Sequence, residues 1–373
     1  MFNVSRGFVA LGAFALAAFF VGGPVYAGSH GLQKVTIRVS ADLPPPPHPT
    51  AIAMEHFKER VEAIFPAGSE VRNFYAGALY KDADAMAAMG EGNLEMGWLV
   101  SGKTAAVDPW LGIIVQPGVL TTVGAVHELA NLETGKMLLQ RLRDLHGIEP
   151  FGFADLSFAL GVGGKERLLT LESVKGKKIR TFAAAVNPVM SAWGANPVVM
   201  GFGDVPSALQ SGVLDGVVTS IGGWRAIFEQ TPYYTIAGVG GVAFDTYWAG
   251  ASQDWLGGLN DASQAKIREL MAETMQLQNE LSYCNDKFAI SEYAAKTPSE
   301  PGVYLASASE AAPLQGAIGN NVADYLKKSL PDEADAWVDR FLTEGRAASS
   351  RMAEGSDPLE SLDCSSYRAR LKG

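Results

Sequence analysis

In the stretch GKKIRTFAAAV, residues 176–186, an arginine stands where an apolar run begins. Lys175, Lys177, Lys178 and Arg180 form one cationic cluster, yet the run from Phe182 to Val186 is apolar enough to lie inside a domain. A guanidinium stays charged when desolvated, and its planar fork takes a carboxylate with two parallel hydrogen bonds. On residue types alone, the simpler reading is that Arg180 pairs with an internal carboxylate or shares the surface with its lysine neighbours.

No catalytic template competes with it. The chain contains no G-x-S-x-G elbow, no H-E-x-x-H helix and no C-x-x-C. His127 and Glu128 are adjacent in sequence, so their side chains diverge on a helix and read as a solvated face. The glycines of GVGGVAF, residues 238–244, do not follow the order of a dinucleotide fingerprint and read as a turn. A hydrolase would need a nucleophile and base pair, and none is visible.

The composition narrows the partners. The 373 residues carry 30 Lys and Arg against 40 Asp and Glu, a formal charge of −10. Such a surface repels nucleic acid and anionic headgroups, which leaves small molecules or proteins. Residues 1–27 read as a signal peptide: Arg6 precedes an apolar stretch from Phe8 to Val21, and Val25-Tyr26-Ala27 places small residues at a cleavage site. Its removal takes away Arg6 and moves the charge to about −11. The apolar stretch is short for a bilayer and no cysteine follows it for a lipid anchor, so the expected mature protein is periplasmic and not inserted in a membrane. In that oxidising compartment Cys284 and Cys364 are expected to form one disulfide, closing a loop of about 80 residues.

The elements around Arg180 follow from periodicity. VTIRVSA, residues 35–41, alternates as a strand; PPPPHP, residues 44–49, must be a stiff loop; residues 50–64 show helical spacing. A strand at 69–75, a helix at 82–90 and a strand at 94–100 complete a β-α-β-α-β order, which predicts a largely parallel sheet. The pattern restarts with one or two strands in 148–163, a strand at 177–182, a short helix at 187–193, and a helix ended by Gly212 before a buried strand in 205–220. Residues 261–295 contain no Gly or Pro and predict one long helix of about 45 Å, enough to cross two lobes. A second helical stretch covers about 310–350. The expected class is α/β with two lobes and a cleft between them, where small ligands bind.

Residues 172–220 resemble the substrate-binding proteins of tripartite ATP-independent periplasmic (TRAP) transporters, the DctP-like family. The resemblance rests on Val174–Thr181 for D-L-K-G-K-K-I-R-T, Gly194–Val198 for G-A-x-P-V, and Ala208–Gly216 for A-L-Q-x-G-V-V-D-G. A weaker likeness extends over about 35–345, with Tyr80 and Glu95 in place of a usual glycine and aspartate. It implies the two-lobed periplasmic binding fold, a bound organic acid, a membrane permease of two unlike subunits as partner, and no catalysis or cofactor. Some members hold a cation beside the carboxylate, which these residues leave undecided. The implied division is lobe I from 28–155 and about 246–285, lobe II from 156–245 and about 286–345, and a C-terminal tail at 346–373. The same fold serving a sensory or other uptake system is the alternative.

By the resemblance, Arg180 points into the cleft and holds the ligand carboxylate. A second arginine that many members carry about 20 residues earlier is replaced here by the neighbourhood Phe158–Gly161. Thr219 and Ser220 stand where relatives often have asparagine, and offer hydroxyls instead. Aromatic residues expected near the cleft are Phe74, Tyr75, Trp98, Phe202, Trp224, Tyr247 and Trp248, which suit a ligand with an apolar or aromatic body.

Overall fold

The computed structural model describes residues 31–238, 241–352 and 355–372. The signal peptide expected over residues 1–27 lies outside them. Among the described residues eleven strands form two sheets, each flanked by helices.

The first sheet has the order β2-β1-β3-β10-β4, with β1 Thr36–Ser40, β2 Glu70–Phe74, β3 Met96–Val100, β4 Ile148–Asp155 and β10 Thr246–Ser252. β1 pairs parallel with β2 and β3, as the β-α-β-α-β order requires, while β10 enters antiparallel between β3 and β4. Every residue of β10 is buried, so TYWAGAS shows no alternation by which its sequence could announce a strand. The second sheet has the order β11-β9-β5-β8-β6-β7. Its strands are β5 Gly161–Gly164, β6 Lys178–Thr181, β7 Asn196–Val199, β8 Gly216–Thr219, β9 Tyr233–Ile236 and β11 Gly302–Leu305.

Helix α1, Pro49–Ile64, starts on a proline that fixes the first helical φ and buries Met54, Phe57 and Val61 under the first sheet. Helix α2, Asp82–Gly90, and the short helix α3, Ser101–Thr104, follow β2 and β3. In the second lobe the helix Val205–Gln210 ends before Gly212, whose φ of +74° is the left-handed conformation that terminates a helix without a Cβ penalty.

The long helix is continuous from Asp261 to Glu292, capped by the Asn260 side chain, which accepts from Ser263 N at 2.9 Å. It packs on α1 and β4 of the first lobe and on the short helix Ile221–Arg225 of the second. The stretch expected as one helical region at 310–350 is three helices, Ala308–Ile318, Asn321–Ser329 and Asp335–Arg351. They break at Gly319, with φ +50°, and at Pro331, which cannot supply a helical N–H. The last of the three packs against Val123–His127 and Glu133–His146 of the first lobe, so this part of the chain returns there rather than staying with lobe II.

Cys284 on the long helix is bonded to Cys364, and no cysteine is free among the described residues. Beside that bond, His127 bridges two carboxylates, Asp357 Oδ2 at 2.7 Å from Nδ1 and Asp155 Oδ2 at 2.9 Å from Nε2. The C-terminal segment is thus fastened to the body by the disulfide, by His127 and, on the long helix, by Tyr367 to Glu280 and Arg368 to Glu292, each at 2.5 Å.

Candidate functional site

Four parallel strands end facing the space between the lobes, and the side chains just beyond those ends line a cavity there. Asp42 follows β1, Lys103 lies in α3 after β3, Phe182 follows β6, and Thr219 and Ser220 end β8. This is where an open α/β sheet brings main-chain ends and loops together around a ligand. The inner chamber, about 40 Å³, has Arg180, Thr219, Ser220, Gly223 and Phe202 on the second lobe, and Asp42, His48, Lys103 and Tyr247 on the first.

Arg180 is 2% exposed. Its Nε donates to Met200 O at 2.8 Å and its Nη1 to Val218 O at 3.0 Å, which fixes the guanidinium plane between β7 and β8. Among the described residues no carboxylate lies within ion-pair distance of it, and Nη2 makes no hydrogen bond. Burial, opposed only in part by the more distant Asp42, Asp82 and Tyr247, pulls the guanidinium down to about 10. With Nε committed to the main chain, an incoming carboxylate meets the fork end-on, through Nη1 and Nη2.

Lys103 faces Arg180 from the other lobe, but its charge is already spoken for. Its Nζ lies 2.8 Å from Asp42 Oδ2 and 3.1 Å from Asp82 Oδ2, and donates to Asp42 O at 3.0 Å. Burial alone would raise both carboxyls. For Asp42 the Lys103 charge and hydrogen bond, with Arg180, outweigh it and hold the group below its ordinary value; for Asp82 burial prevails and the group is raised. Burial and the Lys103 charge push His48 down to about 3, so its ring is neutral, and its Nδ1 has no partner.

Gly223 is needed at this wall. A Cβ there would stand 2.5 Å from Thr219 Oγ1 and 3.2 Å from the Phe202 ring, closing the chamber. The lobes meet around it: a Cβ on Gly201 would lie 3.2 Å from Asp42 Oδ2, and Lys81 Nζ of the first lobe is 3.0 Å from Asp204 Oδ2 of the second.

The structure gathers Arg180, Phe202, Thr219, Ser220 and Tyr247 around the chamber and places the other expected residues elsewhere. Trp98, Trp224 and Trp248 are each fully buried core residues whose indole N–H groups are taken by Gln278, Thr231 O and Thr104. Trp224 also stacks on Tyr234, with ring centroids 5.0 Å apart. Phe74 ends β2, and Tyr75 turns to Glu55, 2.5 Å away, outside the chamber. Glu95 pairs with Arg38 at 2.7 Å, and Phe158 packs on Tyr283, so neither takes part in the cavity.

Asp42, His48 and Lys103 were not among the expected residues. Their positions immediately beyond the strand ends of the first β-α-β-α-β unit were the available signal.

Comparison with known proteins accords with this geometry. The family model described as bacterial extracellular solute-binding protein, family 7 (DctP), matches residues 40–328. The C4-dicarboxylate-binding periplasmic protein DctP of Rhodobacter capsulatus is 30% identical over 177 residues, 46% of this chain and 51% of that protein. The chain thus matches about half the length of this curated relative. A sugar acid binding protein of Advenella mimigardefordensis, in complex with galactonate, superposes with a TM-score of 0.74 at 20% identity, covering 85% of this chain and all of that one. A TRAP periplasmic solute binding protein of Sulfurospirillum deleyianum with bound succinate gives 0.71 at 20% identity, again over 85% and 100% of the two chains. At these identities the two structures establish the shared two-lobe fold. The family match, over most of the length, establishes more: the chain belongs to the bacterial extracellular solute-binding proteins of family 7.

Proposed function

We propose that this chain is the periplasmic substrate-binding protein of a TRAP transporter, capturing a small organic acid between its lobes and delivering it to a membrane permease. The observation that carries the reading is Arg180: a buried guanidinium on the wall of an interlobe cavity, held in place by main-chain carbonyls and paired with no carboxylate of the described protein. Burying a lone charge is costly, and a ligand anion is the partner that offsets the cost. Thr219 and Ser220 supply neutral hydroxyls beside it, and the lobes closing over the pair exclude water and strengthen it.

The test has two parts. Mass spectrometry of small molecules released from the denatured protein, purified from its native periplasm, should find a carboxylic acid. Titration calorimetry with that acid should then show Arg180→Ala weakening binding by about two to three decades, the consequence of leaving the anion buried and unpaired. Unchanged affinity in Arg180→Ala would refute the assignment.

A further inference from the structure

Next to the inner chamber lies a second, larger one of about 250 Å³, which the mechanism above does not use. Asp42, Lys103 and Phe182 border both, so the two form one interlobe space divided at these residues. Arg180 lies on β6 and Phe182 just beyond its end, two residues on, and Met200, whose carbonyl orients Arg180, lines the larger chamber. That chamber is walled by alkyl groups from three directions: Ala105 and Pro109 from the first lobe, Ala183 and Val199 from the second, and Leu326 and Leu330 from the helix Asn321–Ser329 and its end.

Among the described residues no cation at the junction is left over for a second anion: Lys103 contacts both Asp42 and Asp82, and Lys81 pairs with Asp204. A second carboxylate on the ligand would therefore meet two aspartates and no free cation among the described residues. A polyhydroxylated chain fares less well, because hydroxyls against the alanine, valine and leucine side chains would lose hydrogen bonds to water that the polar lining, Lys81, Asp82, Tyr325 and Ser329 with the paired Asp42 and Lys103, could replace only in part. The inner chamber, at about 40 Å³, takes a head group and little more.

We infer that the ligand is a monocarboxylic acid with an apolar aliphatic or aromatic body, its carboxylate on Arg180 and its body in the alkyl-walled chamber. This rests on the reading of Arg180 as the carboxylate anchor. It names a class distinct from the succinate and galactonate held by the two structures compared above.

Calorimetry on the full mature chain, stripped of bound solute by unfolding and refolding, tests it with acetate, butyrate, hexanoate and phenylacetate beside succinate and galactonate. Affinity should rise along the straight-chain series by about fourfold per buried methylene. Phenylacetate should bind more tightly than succinate or galactonate. Val199→Gln, at a position 52% exposed and so tolerant of change, places an amide on the wall and should flatten the slope. Tightest binding of succinate or galactonate, lost in Arg180→Ala, would overturn the apolar body and leave the carboxylate anchor standing. Acid binding that is insensitive to Arg180→Ala would overturn both.

Discussion

Arg180 makes the ligand-free protein bear a buried charge with no carboxylate in direct contact among the described residues. Its fall from the ordinary guanidinium range to about 10 corresponds to roughly 3 kcal/mol against the charged form in the folded state. Because a base with a lowered value is disfavoured while protonated, this cost is present throughout the neutral range and is relieved only above about pH 10. Removing the side chain also leaves Met200 O and Val218 O without a donor, at about 1–3 kcal/mol in the opposite direction. The two effects nearly cancel. Arg180→Met should accordingly change the stability of the ligand-free protein by less than about 2 kcal/mol in urea unfolding, while its affinity for the natural acid falls by two decades or more. A large loss of stability with affinity intact would make Arg180 a structural residue. Arg180 was singled out by the resemblance of its flanking motifs, which all lie in one lobe, since residue types alone favoured an internal ion pair or a surface position. Asp42, Lys103 and His48 were harder to read, since they reach the same chamber from the other lobe and no sequence spacing links them to it. The tryptophans misled for a related reason: an aromatic near a strand end can face the cleft or the core, and for Trp98, Trp224 and Trp248 packing and a buried N–H partner decided for the core.

At the scale of elements, periodic segments were legible and wholly buried ones were not. Alternation exposes β1 and helical spacing exposes α1, whereas β10 is buried on both faces and carries no period. The long helix declared itself through 35 residues without Gly or Pro, and it ends within a few residues of the expected place. The fastening of the C-terminal segment could be anticipated only at its cysteines. His127 was read as a solvated helix residue, yet it is partly buried between Asp155 and Asp357. Burial alone would lower its imidazole, but the charge and hydrogen bond of Asp155, joined by Asp357, reverse this and raise it to about 9. A base raised above its unfolded value of about 6.5 contributes stability that is complete below pH 6.5 and disappears as pH rises through 9. The size is on the order of 2–3 kcal/mol. Urea unfolding should show wild type exceeding His127→Gln by that order at pH 6, with the gap much reduced at pH 10. Equal gaps at both values would mean the imidazolium does not hold the segment.

For the molecule as a whole, the decisive quantity is what keeps the lobes together. The direct ion pair across the mouth, Lys81 with Asp204, joins side chains 58% and 59% exposed, and such pairs contribute at most about 1 kcal/mol. Around the chamber Arg180 of one lobe faces Asp42 and Asp82 of the other, which hold Lys103 in direct contact. On the proposed reading, closure is expected to follow the ligand, whose contacts to both lobes would form only when they are closed. Among the described residues the lobes are joined through the connection at 155–161 and by the long helix, which packs on both. Small-angle scattering should show a smaller radius of gyration when the natural acid is added at saturation, and no such change for Arg180→Met at the same concentration. Lys81→Ala should still contract and should lose no more than about fivefold in affinity, in keeping with an exposed pair. If the ligand-free protein already has the compact radius, closure precedes binding and the rim contacts are stronger than their exposure allows. If Lys81→Ala abolishes contraction, the latch and not the acid closes the cleft.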